Sequence, residues 1–230
     1  MKDLKYLFAY TVPISVYISF MSTGIWTYST VFYVFILLPI LDFLMGESKE
    51  NFSKEDASHQ NKKWIFDIML YFNIPIIFGL LYIVFSSFQS NDYNVFETVG
   101  LAFSTGLLLS INGINVAHEL GHRKPYYERF LSKLLYMPCL YMHFYIEHNF
   151  GHHLHVATPE DGATAKYNQS VYSFWFTSVT KQYFDAWKNQ KILLKTKNSS
   201  FISIKNDMIW YHLIQPLYLF VIYYLFSFCR

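Results

Sequence analysis

Long apolar runs broken by short polar segments dominate the chain. A helix that crosses a bilayer needs about 20 mostly apolar residues, with a lower limit of about 17. Five stretches meet this, at about 4–26, 28–44, 64–88, 93–117 and 208–228. The break at 22–29 is short and polar-aromatic, so the first two spans are expected to form a helical hairpin. Pro13, Pro39 and Pro75 fall inside spans, where neighbouring groups re-satisfy the carbonyls that proline frees. A further apolar run, 130–146, is interrupted by Pro138 and His143 and reads as a short in-plane or half-inserted helix. The first run lacks a small-residue cleavage site and is followed at once by another span, so it is not a cleavable signal. The pattern predicts an all-α integral membrane protein, a helical bundle forming one transmembrane domain over 1–230.

Composition agrees. Hydrophobic residues make up 53% of the 230, aromatics 21% and charged residues 15%, against roughly 25% charge in an average soluble domain. Such a chain is too apolar for disorder. Its two cysteines, Cys139 and Cys229, exclude a disulfide-stapled scaffold. A net charge of +2 without a basic motif argues against nucleic acid as a partner.

Charge placement orients the spans. Lys2 and Lys5 precede the first, Lys49, Lys54, Lys62 and Lys63 lie between the second and third, and eleven more basic residues, from Arg123 to Lys205, lie between the fourth and fifth. The breaks at 22–29 and 89–92 carry none, and Arg230 is the exception. The positive-inside rule then places the N terminus, the 46–63 loop and the 118–207 segment in the cytoplasm. Asn51-Phe-Ser53 and Asn198-Ser-Ser200 match glycosylation acceptors, but on that predicted cytoplasmic side.

Seven of the nine histidines lie between 118 and 155; the others are His59 and His212. The end of the fourth span reads NVAHELGHR over 115–123, and residues four apart share a helix face, so His118 and His122 can address one metal. Further on comes IEHNFGHHLH over 146–155, where His148 and His152 repeat that spacing and His153 adds a neighbouring ligand. Imidazole suits Zn, Cu, Fe and Ni. His118 to His122 alone matches H-E-x-x-H, the zinc metalloprotease signature in which the glutamate is the base. Five candidate ligands exceed the three protein ligands of a catalytic zinc site. The surplus points to a dinuclear, oxygen-activating centre, in which Glu119 is not a base.

HELGHR over 118–123 and EHNFGHHLHVATPED over 147–161 resemble the first two histidine boxes of the membrane-bound alkane monooxygenases, a family related to the integral-membrane fatty acid desaturases and xylene monooxygenases. Thr158-Pro159-Glu160-Asp161 and the preceding HFYIE over 143–147 favour the alkane hydroxylase branch. The resemblance covers essentially the whole chain. It implies six spans and a third histidine box, so the chain reads as C-terminally incomplete, one span and one box short. His155 stands where a basic residue is expected in relatives.

The resemblance further implies two non-haem Fe ions held in part by His118, His122, His148, His152 and His153. It implies O₂-dependent terminal hydroxylation of an apolar alkane drawn from the bilayer. Electrons would come from rubredoxin and an NAD(P)H-dependent rubredoxin reductase, at a bacterial inner membrane with the N terminus cytoplasmic. Glu119, Glu147, Asp161, His143 and His155 are candidates for orienting the ligands, a role in which outer groups fix imidazole tautomer and direction; Glu160 is a weaker one. Three other readings stay open: a lipid or fatty acyl desaturase or hydroxylase, a zinc intramembrane protease, and a non-catalytic metal-binding membrane protein.

Between Lys181 and Lys205 there are six lysines and one acid, Asp185, with Tyr183, Phe184 and Trp187 among them. The segment reads either as a docking face for an acidic electron carrier or as an interfacial amphipathic helix beside anionic lipid. Gly106 and Gly113 are expected close-packing sites between helices.

Overall fold

The computed structural model describes residues 2–46 and 64–227, and side chains from Tyr6 onward. The 46–63 loop with His59, its four lysines and Asn51, together with Cys229 and Arg230, therefore lies outside the described residues, Gly46 apart. Every regular element among the described residues is helical. The chain forms two compact units, one of residues 1–116 with 225–230, the other of residues 117–224.

Four helices are long and apolar enough to cross a bilayer: Gly24–Met45, Trp64–Ser90, Val95–Gly121 and Asp207–Ser227. The first predicted span is a correction. Its apolar helix covers only Tyr6–Phe20 and stops well short of 26. Gly24 takes a left-handed φ of 59° and opens the next helix instead. The run 130–146 is also divided. Helix Tyr126–Tyr136 ends just before Pro138, which cannot donate to a helical ladder. Leu140 then turns with φ 53°, and a new helix starts at Phe144. Pro39 follows a widened π turn at Tyr33–Leu37, one of the recognised ways a helix absorbs a break in its ladder. Pro216, inside Asp207–Ser227, is a further intrahelical proline beyond the three expected.

The first unit is joined by buried hydroxyls and amides. The Ser104 hydroxyl donates to the Thr27 carbonyl at 3.0 Å and meets Ser19 Oγ at 3.2 Å, and the Ser19 and Thr30 hydroxyls meet at 3.1 Å. Asn112 donates to Asn73 Oδ1 at 2.9 Å and to the Ala9 carbonyl at 3.2 Å. Small hydroxyls let helices approach closely in an apolar medium and bond across the contact. Asn94 and Glu97 form a reciprocal cap that starts Val95–Gly121, and Glu97 also accepts from the Gly24 amide at 2.7 Å. A close-packing glycine in this unit is Gly100. A Cβ there would stand 2.5 Å from Thr27 Oγ1 and from the Tyr28 ring, whereas one at Gly106 meets nothing within 4 Å.

In the second unit, helix Val171–Thr196 buries Ser178, Gln182, Ala186, Gln190 and Leu194, one residue in every four. Gln182 accepts from the Tyr141 hydroxyl at 2.7 Å. The buried Ser132 hydroxyl donates to the Ala117 carbonyl at 2.6 Å, tying helix Tyr126–Tyr136 to the end of Val95–Gly121.

Gly100→Ala is expected to cost about 1–3 kcal/mol through overpacking, read as a lowered Tm in neutral detergent. Gly106→Ala is expected to stay within about 0.5 kcal/mol of the parent. Equal Tm values for the two variants would contradict the packing described.

Candidate metal centre

The site lies within the second unit and is built from two helical segments. His118 sits near the end of Val95–Gly121, and His122 follows in the first turn beyond it. The chain leaves the helix before Pro125, whose ring biases the preceding residue away from helical geometry. The second segment starts as helix at Phe144–Glu147, widens into a π turn at His148–His152 and continues through His153–His155.

That π turn decides which histidines meet. In an ordinary helix His148 would share a face with His152; with i to i+5 bonding the residue above His148 is His153. His153 Nε2 stands 3.0 Å from His148 Nε2. From the first segment, His118 Nε2 lies 2.7 Å and His122 Nε2 3.1 Å from the same His148 atom, and His118 and His122 are 3.1 Å apart. Three Nε2 atoms, of His118, His122 and His148, thus lie mutually close, and His153 Nε2 joins them at His148.

Hydrogen bonding alone does not account for this. A ring nitrogen carries one proton or one lone pair, yet His148 Nε2 has three imidazole nitrogens around it. A cation accepts lone pairs from all of them. Two nitrogens about 2.1 Å from one ion and at right angles stand about 3.0 Å apart, which matches the observed spacing. His118, His122 and His148 form a group able to hold a metal ion. Burial, reinforced by the neighbouring histidines, pushes His148 down to about 3, and burial also lowers His153. Both rings are therefore neutral near pH 7, the form in which imidazole binds metal.

His152 is placed differently. Its ring stacks on His148 with centroids 5.1 Å apart, and its Nδ1 lies 3.0 and 3.1 Å from the two Asp161 oxygens. Burial alone would raise Asp161. Hydrogen bonds from the Thr164 hydroxyl, from the Ala163 amide at 2.9 Å and from His152 outweigh it and hold the carboxyl below its ordinary value. An ionised Asp161 makes Nδ1 the protonated nitrogen and leaves Nε2 with its lone pair outward.

The other acids and histidines divide clearly. Glu147 is buried with Oε2 unpartnered, and burial together with nearby Asp161 raises its carboxyl to about 7. Glu119 is exposed and pairs with Arg123 at 3.0 Å. His143 is buried against the Tyr141 and Tyr183 rings, away from the four Nε2 atoms, with its own Nε2 unpartnered; burial lowers it to about 4. His155 and Glu160 are exposed. His212 accepts from the Tyr183 hydroxyl at 2.7 Å and donates from Nδ1 to the Met208 carbonyl at 2.7 Å. Nothing in its apolar surroundings signalled that pairing, which joins positions 29 residues apart.

Glycines allow the close approach. At Gly151 a Cβ would collide with the Asn189 side chain, and at Gly121 it would press on Ser132 Oγ at 3.1 Å. In the basic segment, Lys181 and Lys188 both pair with Asp185 at 2.8 Å, so two of its six lysines are internally engaged.

Four bilayer-length apolar helices and a converging imidazole cluster define a multi-pass membrane protein with a histidine site able to hold metal. Residues 94–229 match the model of the fatty acid desaturase family, and the chain belongs to that family. Among its relatives, alkane 1-monooxygenase 2 of Alcanivorax borkumensis is 30% identical, over 90% of this chain and 55% of its own length. Alkane 1-monooxygenase 1 of the same organism is 32% identical, over 82% and 45%. The xylene/toluene monooxygenase hydroxylase component of Pseudomonas putida is 25% identical, over 92% and 56%. The chain therefore spans about half the length of the curated relatives it matches.

Asp161→Asn is expected to weaken metal binding about 10–100-fold, the usual effect of losing a carboxylate that orients an imidazole. His153→Ala is expected to abolish high-affinity binding and His155→Ala to leave it unchanged. Titration of the apo protein with Fe(II) or Co(II), followed by absorbance or calorimetry, measures all three.

Proposed function

We propose that this chain carries part of the oxygen-activating centre of an alkane 1-monooxygenase-like enzyme. The observation that carries the reading is the convergence of His118, His122, His148 and His153 at 2.7–3.1 Å. It gains weight from a chain about 30% identical to alkane 1-monooxygenases. The reaction combines a terminal methyl group, O₂, two electrons and two protons, and yields a primary alcohol and water.

The metal is non-haem iron, two ions in the complete site; when bound it activates O₂ for insertion of one atom into the terminal C–H bond. His118 and His122 bind from the end of one span, and His148, His152 and His153 from the following segment. Asp161 holds the His152 proton on Nδ1 and turns its Nε2 into a ligand. Glu147, neutral or ionised near pH 7, would hold a proton close to Asp161 and His152. The substrate is apolar and enters from the bilayer. Rubredoxin and its NAD(P)H-dependent reductase supply the electrons. The distribution of basic residues supports an N terminus and histidine segment on the cytoplasmic side, and the membrane in this reading is a bacterial inner membrane.

The match to the fatty acid desaturase family supports a second reading, a fatty acyl desaturase or hydroxylase using the same site. The protease reading is disfavoured, because Glu119 is engaged with Arg123 rather than aimed at the cluster.

Metal analysis by mass spectrometry is the direct test. Iron is expected, up to two per chain, lost in His118→Ala and His148→Ala and retained in Glu119→Gln; zinc at one per chain would overturn the proposal. Product analysis with a medium-chain alkane and a fatty acyl substrate, with rubredoxin and reductase supplied, separates the two substrate readings.

A further inference from the structure

Away from the histidine cluster, a second cavity of about 400 Å³ lies in the same unit, within the usual range for small-ligand sites. Its wall includes Arg129, Lys133, Lys197 and Lys205, and its one acid is Asp207. Asp207 is occupied by Lys133 at 2.9 Å, and Arg129 hydrogen-bonds the Tyr145 hydroxyl. Among the described residues neither Lys197 nor Lys205 has a carboxylate within ion-pair distance. The cavity thus presents a surplus of positive charge that the described residues do not neutralise.

Its position argues for the partner. Asp207 is the first residue of the bilayer-length helix Asp207–Ser227, which puts the cavity at a membrane–water boundary. Lys197 and Lys205 flank a loop whose Phe201, Ile202 and Ile204 are 48%, 85% and 83% exposed. The facing rim carries exposed Tyr126 and Phe130. Bare apolar side chains beside unneutralised lysines suit neither a free anion nor the polar face of a soluble protein. They suit a molecule with an anionic head and apolar tails.

The geometry points to a binding site for the phosphodiester headgroup of an anionic phospholipid, with Lys197, Lys205 and Arg129 facing the phosphate and the 201–204 loop embedded among the acyl chains. Basic pockets beside spans recognise lipid headgroups in this way, and each lysine near such a surface contributes about fivefold in affinity.

The test is native mass spectrometry of the chain in neutral detergent, with phosphatidylglycerol or phosphatidylcholine added. One phosphatidylglycerol is expected to be retained in preference to phosphatidylcholine. The double variant Lys197→Gln/Lys205→Gln is expected to lose it by about 25-fold, while Lys191→Gln/Lys195→Gln, two lysines outside the cavity, keeps it. Ile202→Ser/Ile204→Ser is expected to weaken retention without touching a charge. Equal Tm values for the variants in lipid-free detergent show that the fold is intact. Three results would overturn the proposal: retention unaffected by the cavity lysines, no preference for the anionic lipid, or displacement of the lipid by about 10 mM inorganic phosphate. Salt-sensitive capture of acidic rubredoxin, lost in Lys197→Gln/Lys205→Gln while lipid retention persists, would also overturn it and reassign the surface to the electron carrier.

Discussion

The second unit is organised around a conflict among like groups. The Nε2 atoms of His118, His122 and His153 are all brought within about hydrogen-bond distance of His148 Nε2, and a neutral ring offers only one proton or one lone pair at each nitrogen. Protonating the rings would set like charges against each other at close range. Burial opposes that charging at His148 and leaves a cluster of lone pairs aimed at one point. The rest of the unit holds that cluster together. Ser132 ties one helix to the end of the His118 helix, Gly151 lets Asn189 approach the His148 segment, and Asp161 anchors His152 from a loop.

The two units solve the problem of an apolar environment by different means. In the first, the interior contacts are small hydroxyls and paired amides, such as Ser19 with Thr30 and Asn112 with Asn73. Most of these groups find a partner on a neighbouring element, as a medium without water requires, although the buried Asn112 Oδ1 has none. In the second, ionisable groups are buried beside neutral ones such as Ser132 and Gln182. Glu147 keeps an unpartnered oxygen and His143 an unpartnered nitrogen. Buried groups of that kind cost stability unless something repays it, and their concentration beside the histidines fits a site shaped for chemistry more than for packing.

Much of this was legible along the chain. Apolar length located four bilayer-length helices to within a few residues at most ends, and failed at the first, where Gly24 begins a new helix before 26. The failure has a local cause: hydropathy averages over a turn that a left-handed glycine creates. Pro138 was read as an interruption of 130–146, and it is the point where one helix stops. Gly106, expected to pack closely, has open space around it, whereas Gly100 is demanding because Thr27 and Tyr28 arrive from elsewhere in the sequence.

By itself the sequence determined that the chain is helical and membrane-embedded, and that its metal-competent histidines lie between 118 and 155. Those are consequences of local composition and of the short spacing between His118 and His122, which one helical turn satisfies. Tertiary structure decided which side chains meet. A single widened turn brings His153 Nε2 to His148 Nε2 while His152 stays stacked on His148, and a loop returns Asp161 to His152. His212 finds Tyr183, and the cavity lysines gather around the start of the last helix. Such meetings depend on the width of a turn and on the path of distant segments, quantities to which residue spacing along the chain is blind.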